Sequence, residues 1–167
     1  MTDSGAIECR PHEHVNGILK VDTNADTVTK LNGNLLPEIG GRVMWCSYAL
    51  ALDGCIYSMP HGARRIMKLD PNDNDAISSV GNDLRSRSYI ATVVGIDGCV
   101  YEIPSICTSN PIVKYDSVND TTSFFGGGTN NVGWEMKKCF ECNGGGALGS
   151  DEQIYAVTYD GRDKYNQ

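Results

Sequence analysis

Near the middle of the chain, residues 53–60 read DGCIYSMP, and residues 97–104 repeat this pattern as DGCVYEIP. The same register returns more faintly as SGAIECRP at residues 4–11 and as DEQIYAV at residues 151–157. A second motif follows each of the first three copies: ILKVD at 18–22, IMKLD at 66–70 and IVKYD at 112–116. Two motifs that recur in the same order indicate an internal repeat of roughly 45 residues.

Within one unit, four short apolar runs are separated by residues typical of turns, which predicts a four-stranded antiparallel meander. In the clearest unit these strands, called A to D, are Met44–Leu52, Cys55–Met59, Ile66–Leu69 and Ala76–Val80. The Asp-Gly pair between A and B predicts a two-residue type I′ turn, because Gly accepts a positive φ without steric cost. Clusters of Asp and Asn predict the turns between C and D.

Units of this length with four strands each are typical of propeller blades. We therefore expect an all-β fold of about three four-stranded antiparallel blades plus a partial one. The whole chain, residues 1–167, is predicted to be a single repeat domain with units at about 4–52, 53–96, 97–150 and a partial unit at 151–167. The apolar positions of the repeat predict the blade cores: Ile7, Ile18, Val21, Val28, Ile56, Met67, Leu69, Ile77, Val80, Val100, Val113 and Phe124.

These two motifs resemble the tandem single-blade repeats of kelch-like or NHL-like β-propeller proteins. The resemblance extends over about residues 4–157, but the chain lacks the regular Gly-Gly pair of kelch repeats and the Trp-Asp of WD40 repeats. It implies a fold and supplies no catalytic residues, because function on such folds depends on grafted sites.

Charge and composition narrow the classes of partner. The chain has 14 Lys and Arg against 21 Asp and Glu, a formal charge of −7, which disfavours nucleic acid and anionic membranes. No apolar stretch is long enough to span a bilayer, and the first residues lack the pattern of a signal peptide.

The seven cysteines include Cys55 and Cys99 at equivalent repeat positions, which we interpret as buried thiols. We expect a soluble protein of the cytoplasm.

The loops between B and C and between D and A vary in length and chemistry, so we expect a binding site at that end. The candidate ligand-binding residues are His12, Glu13, His14, His61, Arg64 and Arg65. Three histidines there could bind a metal, or could simply cap loops after the repeat proline. The arginines, with Arg85 and Arg87, could hold an anionic ligand or be ordinary solvated surface.

Three other patterns are weaker signals. Cys139 and Cys142 have the spacing of a zinc or redox motif but lack a second ligand pair. The run Asp70–Asp75 has the acidity of a calcium loop without its Gly and Glu, which favours a plain hairpin. Glu13 and Glu102 could form a glycosidase-like carboxylate pair only if folding brought them together.

The sequence contains no recognisable catalytic set, which favours a non-enzymatic binding or scaffolding module for a protein or glycan, with no cofactor. The alternative is a metal-dependent hydrolase or lyase on the same face, with a metal at His12, His14 and His61.

About three blades are too few to close a ring of the usual four to eight. We therefore expect either a piece of a longer propeller or a homodimer that closes a ring of about six blades.

Overall fold

The computed structural model describes residues 6–9, 18–31, 45, 47–60, 63–84, 89–104, 111–125, 140–141, 145–156 and 159–160. The first blade is a three-stranded sheet of β1 (Ala6–Cys9), β2 (Ile18–Asp22) and β3 (Thr27–Leu31). The second blade contains β4 (Ala49–Leu50), β5 (Ile56–Ser58), β6 (Ile66–Asp70) and β7 (Ala76–Val80). The third blade contains β8 (Tyr89–Val94), β9 (Val100–Pro104), β10 (Ile112–Asp116) and β11 (Thr121–Phe125).

Two smaller sheets complete the described part of the chain. They use β12 (Phe140–Glu141), β13 (Gly146–Leu148), β14 (Ile154–Ala156) and β15 (Tyr159–Asp160). β13 pairs with β14, in what we call the partial blade, and β12 pairs with β15. All pairs are antiparallel, and strands follow one another in chain order within each blade. The predicted all-β fold with four-stranded antiparallel blades of the propeller type is confirmed.

No described residue is helical, and none lies in a helix long and apolar enough to cross a membrane. The predicted strand A of the second blade is shorter than expected. Only Ala49–Leu50 pairs regularly, and Trp45 makes an isolated bridge to Pro60 further back. The Trp45 indole N–H also donates to the carbonyl of Arg65 at 3.0 Å, which holds the start of this strand against the B–C loop.

The turn between A and B differs from the predicted type I′ turn. Gly54 N–H donates to Ala51 O at 3.1 Å and Ala51 N–H donates to Cys55 O at 2.9 Å, so the loop has three residues. Gly54 has φ +80°, whereas Asp53 is not among the residues with positive φ. The prediction was wrong because a type I′ turn needs positive φ at both central residues. The Asp53 carboxylate instead accepts the Cys55 amide at 3.0 Å and shapes a three-residue loop that ends in a left-handed Gly.

Two apolar clusters lie between the blades. Ile18, Trp45, Ala63, Met67 and Leu69 join the first blade to the second. The larger cluster joins the second blade to the third and includes Tyr57 and Tyr115, whose rings are 5.5 Å apart. Burial between sheets rather than inside one sheet is expected for blades that stack face to face.

Most of the core prediction is confirmed. Ile18, Met67, Leu69, Val100 and Val113 are buried, and Val21, Ile56, Ile77 and Val80 are half-buried. The prediction was wrong for Val28 and Phe124, whose side chains are 65% and 45% exposed. Both lie on the last strand of a blade, where burial depends on packing against another blade, and neither side chain packs on the two described apolar clusters. The Ile7 side chain lies outside the described residues, and the unit boundaries stay a prediction.

Candidate functional site

The loops fall into two groups at opposite ends of the blades, because consecutive antiparallel strands reverse direction. The B–C and D–A connections form what we call the loop end. In the second blade, Leu84 N–H donates to Arg64 O at 2.7 Å, and the Arg65 guanidinium donates to Gly81 O at 3.2 Å. These bonds join the loop after β5 to the segment after β7, so the two connections form one braced surface.

Arg64 and Arg65 are exposed on this surface. The Arg64 guanidinium donates to Asp83 across 2.5 Å in an exposed ion pair. Such a pair contributes little stability. Each guanidinium has five N–H donors, so both arginines still have donors to offer a ligand. Both guanidinium groups are therefore accessible to an anionic ligand. The anion-binding role of these two residues stays a prediction.

The other four candidate residues, His12, Glu13, His14 and His61, lie outside the described residues, as do Arg85, Arg87, Cys139 and Cys142. The predicted imidazole site therefore stays a prediction. Within the residues that the structure describes, no group of three His, Cys, Asp or Glu side chains is placed to hold a metal ion.

A chain of polar side chains, half-buried at Ser47 and buried at Thr92 and Glu102, runs between the second and third blades. The hydroxyl oxygens of Ser47 and Thr92 are 2.5 Å apart, and the Thr92 hydroxyl donates to Glu102 Oε2 at 2.6 Å. Because Thr92 has one proton and gives it to Glu102, Ser47 is the donor to Thr92. The Ser58 hydroxyl donates to the backbone carbonyl of Ser47 at 2.6 Å. We call Ser47, Thr92 and Glu102 the buried polar chain.

Glu102 is fully buried, and its Oε1 has no hydrogen-bond partner in the described part of the protein. Burial raises the pKa of Glu102 well above its ordinary value, and the bond from Thr92 opposes that shift only in part. Burial in this setting favours the protonated form of the carboxyl group over the charged form.

In the third blade, the buried polar chain lies at the middle of the paired A and B strands. Thr92 and Glu102 face each other across β8 and β9, and both are buried, so the chain lies beneath the loop surface rather than on it. Glu102 was considered in the sequence only as a partner for Glu13. A signal was available, since Glu102 alternates with Val100 on the inward face of an apolar strand.

The Asp and Tyr of the DGCIY motif make the same set of hydrogen bonds, which we call the clamp, in the second, third and partial blades. Each Asp accepts a backbone amide two residues later and the hydroxyl of a Tyr four residues later. The hydroxyl bonds are 2.7 Å for Asp53 with Tyr57, 2.8 Å for Asp97 with Tyr101 and 2.6 Å for Asp151 with Tyr155. The most conspicuous sequence motif therefore has a structural role.

The clamp of the third blade also includes a cation. Lys114 Nζ lies 2.6 Å from Asp97 Oδ2. Burial by itself would raise the pKa of Asp97, but the Lys114 ammonium, the Tyr101 hydroxyl and the Cys99 amide together lower it to about 2. The ionised Asp97 carboxylate accepts from all three groups and thereby stabilises the hairpin. It has no proton to exchange.

Cys55 and Cys99 are buried free thiols, as predicted. Burial raises the pKa of each thiol, and the carboxylates of Asp53 and Asp97 raise it further. Since the thiolate is the reactive form, these two cysteines are chemically inert.

The acidic run Asp70–Asp75 is a hairpin turn, as the sequence favoured. The Asp70 carboxylate accepts the Asn72 amide at 3.0 Å, and the Asp75 carboxylate is bound by Lys20 of the first blade at 2.7 Å. The Asp70 carboxylate thus caps the turn, and the Asp75 carboxylate bridges two blades.

No protein-family model matches the chain, and no curated protein matches it. Solved structures do match. A catalytically inactive virginiamycin B lyase from Staphylococcus aureus with quinupristin has a TM-score of 0.69 at 14% identity, covering 96% of this chain and 47% of that one. A streptogramin B lyase has a TM-score of 0.61 at 12% identity, covering 95% of this chain and 63% of that one.

An auxiliary nutrient binding protein from Bacteroides ovatus has a TM-score of 0.62 at 13% identity, covering 92% of this chain and 33% of that one. The chain thus spans about half the length of the virginiamycin B lyase it resembles, and less than two thirds of each of the others. At these identities the likeness establishes the β-propeller type of fold alone.

Proposed function

We propose that this chain is a non-enzymatic binding module that holds a protein or a glycan at the loop end. The observation that carries the proposal is the braced surface itself. The B–C and D–A loops of the second blade are joined by Leu84 to Arg64 and by Arg65 to Gly81, and two guanidinium groups remain exposed there. A rigid scaffold that presents varied loops is a common arrangement for binding.

Two further points support the proposal. The repeat motif is used for clamps that hold hairpins together, so it requires no catalytic explanation. One similar structure is an auxiliary nutrient binding protein, so a fold of this type is used for binding in that protein. The closer kinship to kelch-like or NHL-like repeats and a cytoplasmic location are part of the same proposal. The inert thiols of Cys55 and Cys99 favour the latter.

The test is a glycan array together with a pull-down, followed by titration of any ligand found. We expect Arg64→Ala to weaken binding about tenfold, since a lost charged contact is worth about 1.4 kcal/mol. The control is Lys30→Ala, which removes another exposed cation, on β3 of the first blade and outside the braced surface of the second blade. Equal affinities for the wild type, Arg64→Ala and Lys30→Ala would place the site elsewhere.

A second candidate, a metal-dependent hydrolase or lyase, is favoured by the buried polar chain. Burial raises the pKa of Glu102, and carboxyl groups with a raised pKa are used in general acid catalysis. Two of the similar structures are lyases. Metal analysis of the same sample separates the candidates. Bound metal that is lost when His12 and His61 are replaced would favour the enzyme, and its absence would favour the binding module.

A further inference from the structure

The A–B and C–D turns lie at the end of the blades opposite the loop end, and we call this side the turn end. Three large aliphatic side chains are exposed there, in turns that usually carry polar residues: Leu52 is 81% exposed, Ile96 63% and Val118 88%. Leu52 and Ile96 are equivalent in the repeat, since each directly precedes the Asp of the clamp. Single exposed aliphatic residues are common on protein surfaces, but the same exposed position in two successive blades indicates a shared surface.

Leu52 and Ile96 belong to neighbouring loops that contact each other. A Cβ at Gly98 would lie 3.2 Å from Leu52 Cδ1. Leu52 of the second blade therefore lies against the A–B loop of the third blade, in which Gly98 follows Ile96 by two residues. The two exposed aliphatic side chains are thus brought to one region of the surface by the packing of two complete blades in the middle of the array.

The third exposed side chain, Val118, lies in the C–D turn of the third blade. The Ser117 hydroxyl in this turn interacts with the Tyr57 hydroxyl of the second blade. Tyr57 donates to Asp53, the residue that follows Leu52 in the A–B loop. The C–D turn of the third blade therefore lies beside the A–B hairpin of the second. We give the name turn-end patch to the surface formed by Leu52, Ile96 and Val118.

The charged residues in the described turns around this patch are all acidic. They are Asp22, Asp26, Asp53, Asp70, Asp73, Asp75, Asp97, Asp116, Asp120, Asp151 and Glu152. Two of these carboxylates, Asp75 and Asp97, are paired with lysines of strand C. In the part of the chain that the structure describes, no Lys or Arg forms an ion pair with Asp53, Asp116 or Asp120, which stand beside the patch residues in the same turns. The turn-end patch is therefore apolar with uncompensated negative charge around it.

The spread of these carboxylates favours an extended cationic partner over a single ion. They belong to turns of different blades, and among the described residues no three acidic side chains are grouped to hold a metal ion. Their charge repels nucleic acid and anionic lipid. Protein interfaces typically have apolar residues at the centre and charged residues at the rim, where charge complementarity selects the partner.

We propose that the turn-end patch is a docking surface for a cationic segment of another protein. Aliphatic side chains of the partner cover the patch, and its Lys and Arg side chains pair with the flanking carboxylates of Asp53, Asp116 and Asp120. This surface lies at the opposite end of the blades from Arg64 and Arg65, so the inference goes beyond the proposed function and does not depend on it.

The test is fluorescence anisotropy with a labelled helical peptide of Lys and Leu in which the Leu residues form one face. We expect saturable binding that weakens as salt is added. Leu52→Ser combined with Ile96→Ser should weaken binding about tenfold, because it removes two aliphatic contacts. Both side chains are exposed, so we expect the circular dichroism spectrum of this variant to match the wild type. Val118→Ser gives a second measurement and should weaken binding about threefold.

The matched control is Val28→Ser, which removes a 65% exposed aliphatic side chain on β3, outside the turn-end patch. It should bind the peptide as the wild type does, and so should Arg64→Ala, which separates this surface from the loop end. A peptide with Ser in place of each Leu should bind about tenfold more weakly. Absence of saturable binding, equal binding of the two peptides, or an equal loss in Val28→Ser would overturn the proposal.

Discussion

Glu102 shows how a single residue can carry an unusual free-energy cost inside a regular fold. Its carboxyl group is buried between two blades, receives one hydrogen bond from Thr92 and has one oxygen without a partner among the described residues. An unmade hydrogen bond in a buried position costs about 1 to 3 kcal/mol. Retaining such a group makes sense if its proton is used, or if its bond orients the Thr92 hydroxyl, which meets Ser47 of the second blade.

Glu102 should make stability fall as pH rises. Its pKa is raised in the folded protein, so the folded state holds a proton that the unfolded chain releases above about pH 4.5, and the slope approaches 1.4 kcal/mol per pH unit. Below that pH both states are protonated and the loss vanishes. Glu102→Gln removes this dependence and keeps an acceptor for Thr92.

Denaturant unfolding of the wild type and Glu102→Gln at several pH values from 4 to 8 measures the difference directly. We expect similar stabilities at about pH 4 and a growing advantage for Gln above it. Subtracting the two curves cancels the other titrating groups. A difference that stays constant over this range would show that the pKa of Glu102 is the same in the folded and unfolded protein.

The loop of the A–B hairpin has the same shape in the second, third and partial blades. In the second and third blades the loop ends in a Gly with φ of +80° and +75°, and in the partial blade Glu152 takes that place with φ +66°. The Glu152 N–H donates to Gly149 O at 3.1 Å, so the loop keeps its shape without the glycine. A residue with a Cβ pays about 1 to 2 kcal/mol for this left-handed conformation.

Glu152→Gly should therefore stabilise the β13–β14 hairpin by about 1 kcal/mol. Amide exchange of Ile154 and Tyr155 reports this hairpin separately from the rest of the array, and we expect protection to increase about fivefold. Glu152→Ala is the control, because it removes the carboxylate but keeps the backbone cost. Equal protection in both variants would mean that the side chain, not the backbone, is responsible.

At the scale of the whole molecule, the blades are held together by close contact of their faces. Gly81, with φ +70°, lies where the second and third blades meet, and its amide is bound by Asp120 of the third blade. A Cβ at this position would lie 3.0 Å from Ile66 Cδ1 and 3.1 Å from Thr122 Oγ1, one in each blade. This glycine serves the inter-blade interface as well as the local turn.

Gly81→Ala should accordingly cost more than Gly54→Ala. Both lie at positive φ, which costs about 1 kcal/mol or more for Ala, but a Cβ at Gly54 would meet only the end of the Asn72 side chain at 3.3 Å. We expect Gly81→Ala to lose roughly 1 to 2 kcal/mol more, because it forces the two blades apart. Thermal or denaturant unfolding of the two variants measures the difference, and equal losses would show that the interface adapts without cost.

The repeat, its four strands and most of the buried positions could be derived from the amino-acid sequence. A strand alternates its side chains locally, and a motif such as ILKVD or IMKLD marks the same strand each time it occurs. The burial of the Cys55 and Cys99 thiols and the hairpin role of Asp70–Asp75 followed from the same local patterns. Each of these depends on neighbours within a few residues along the chain.

Contacts between blades were decided only by the tertiary structure. Ser47, Thr92 and Glu102 belong to two different blades, and no spacing along the chain shows that their oxygens meet. Val28 was expected to be buried because it is apolar, but its exposure depends on whether a blade lies against it. The turn after β4 also escaped prediction, because the Asp53 side chain competes for the backbone amides that define its geometry. Burial and hydrogen bonding across stacked faces arise from the packing of distant segments, and a local pattern cannot encode which segment will be the neighbour.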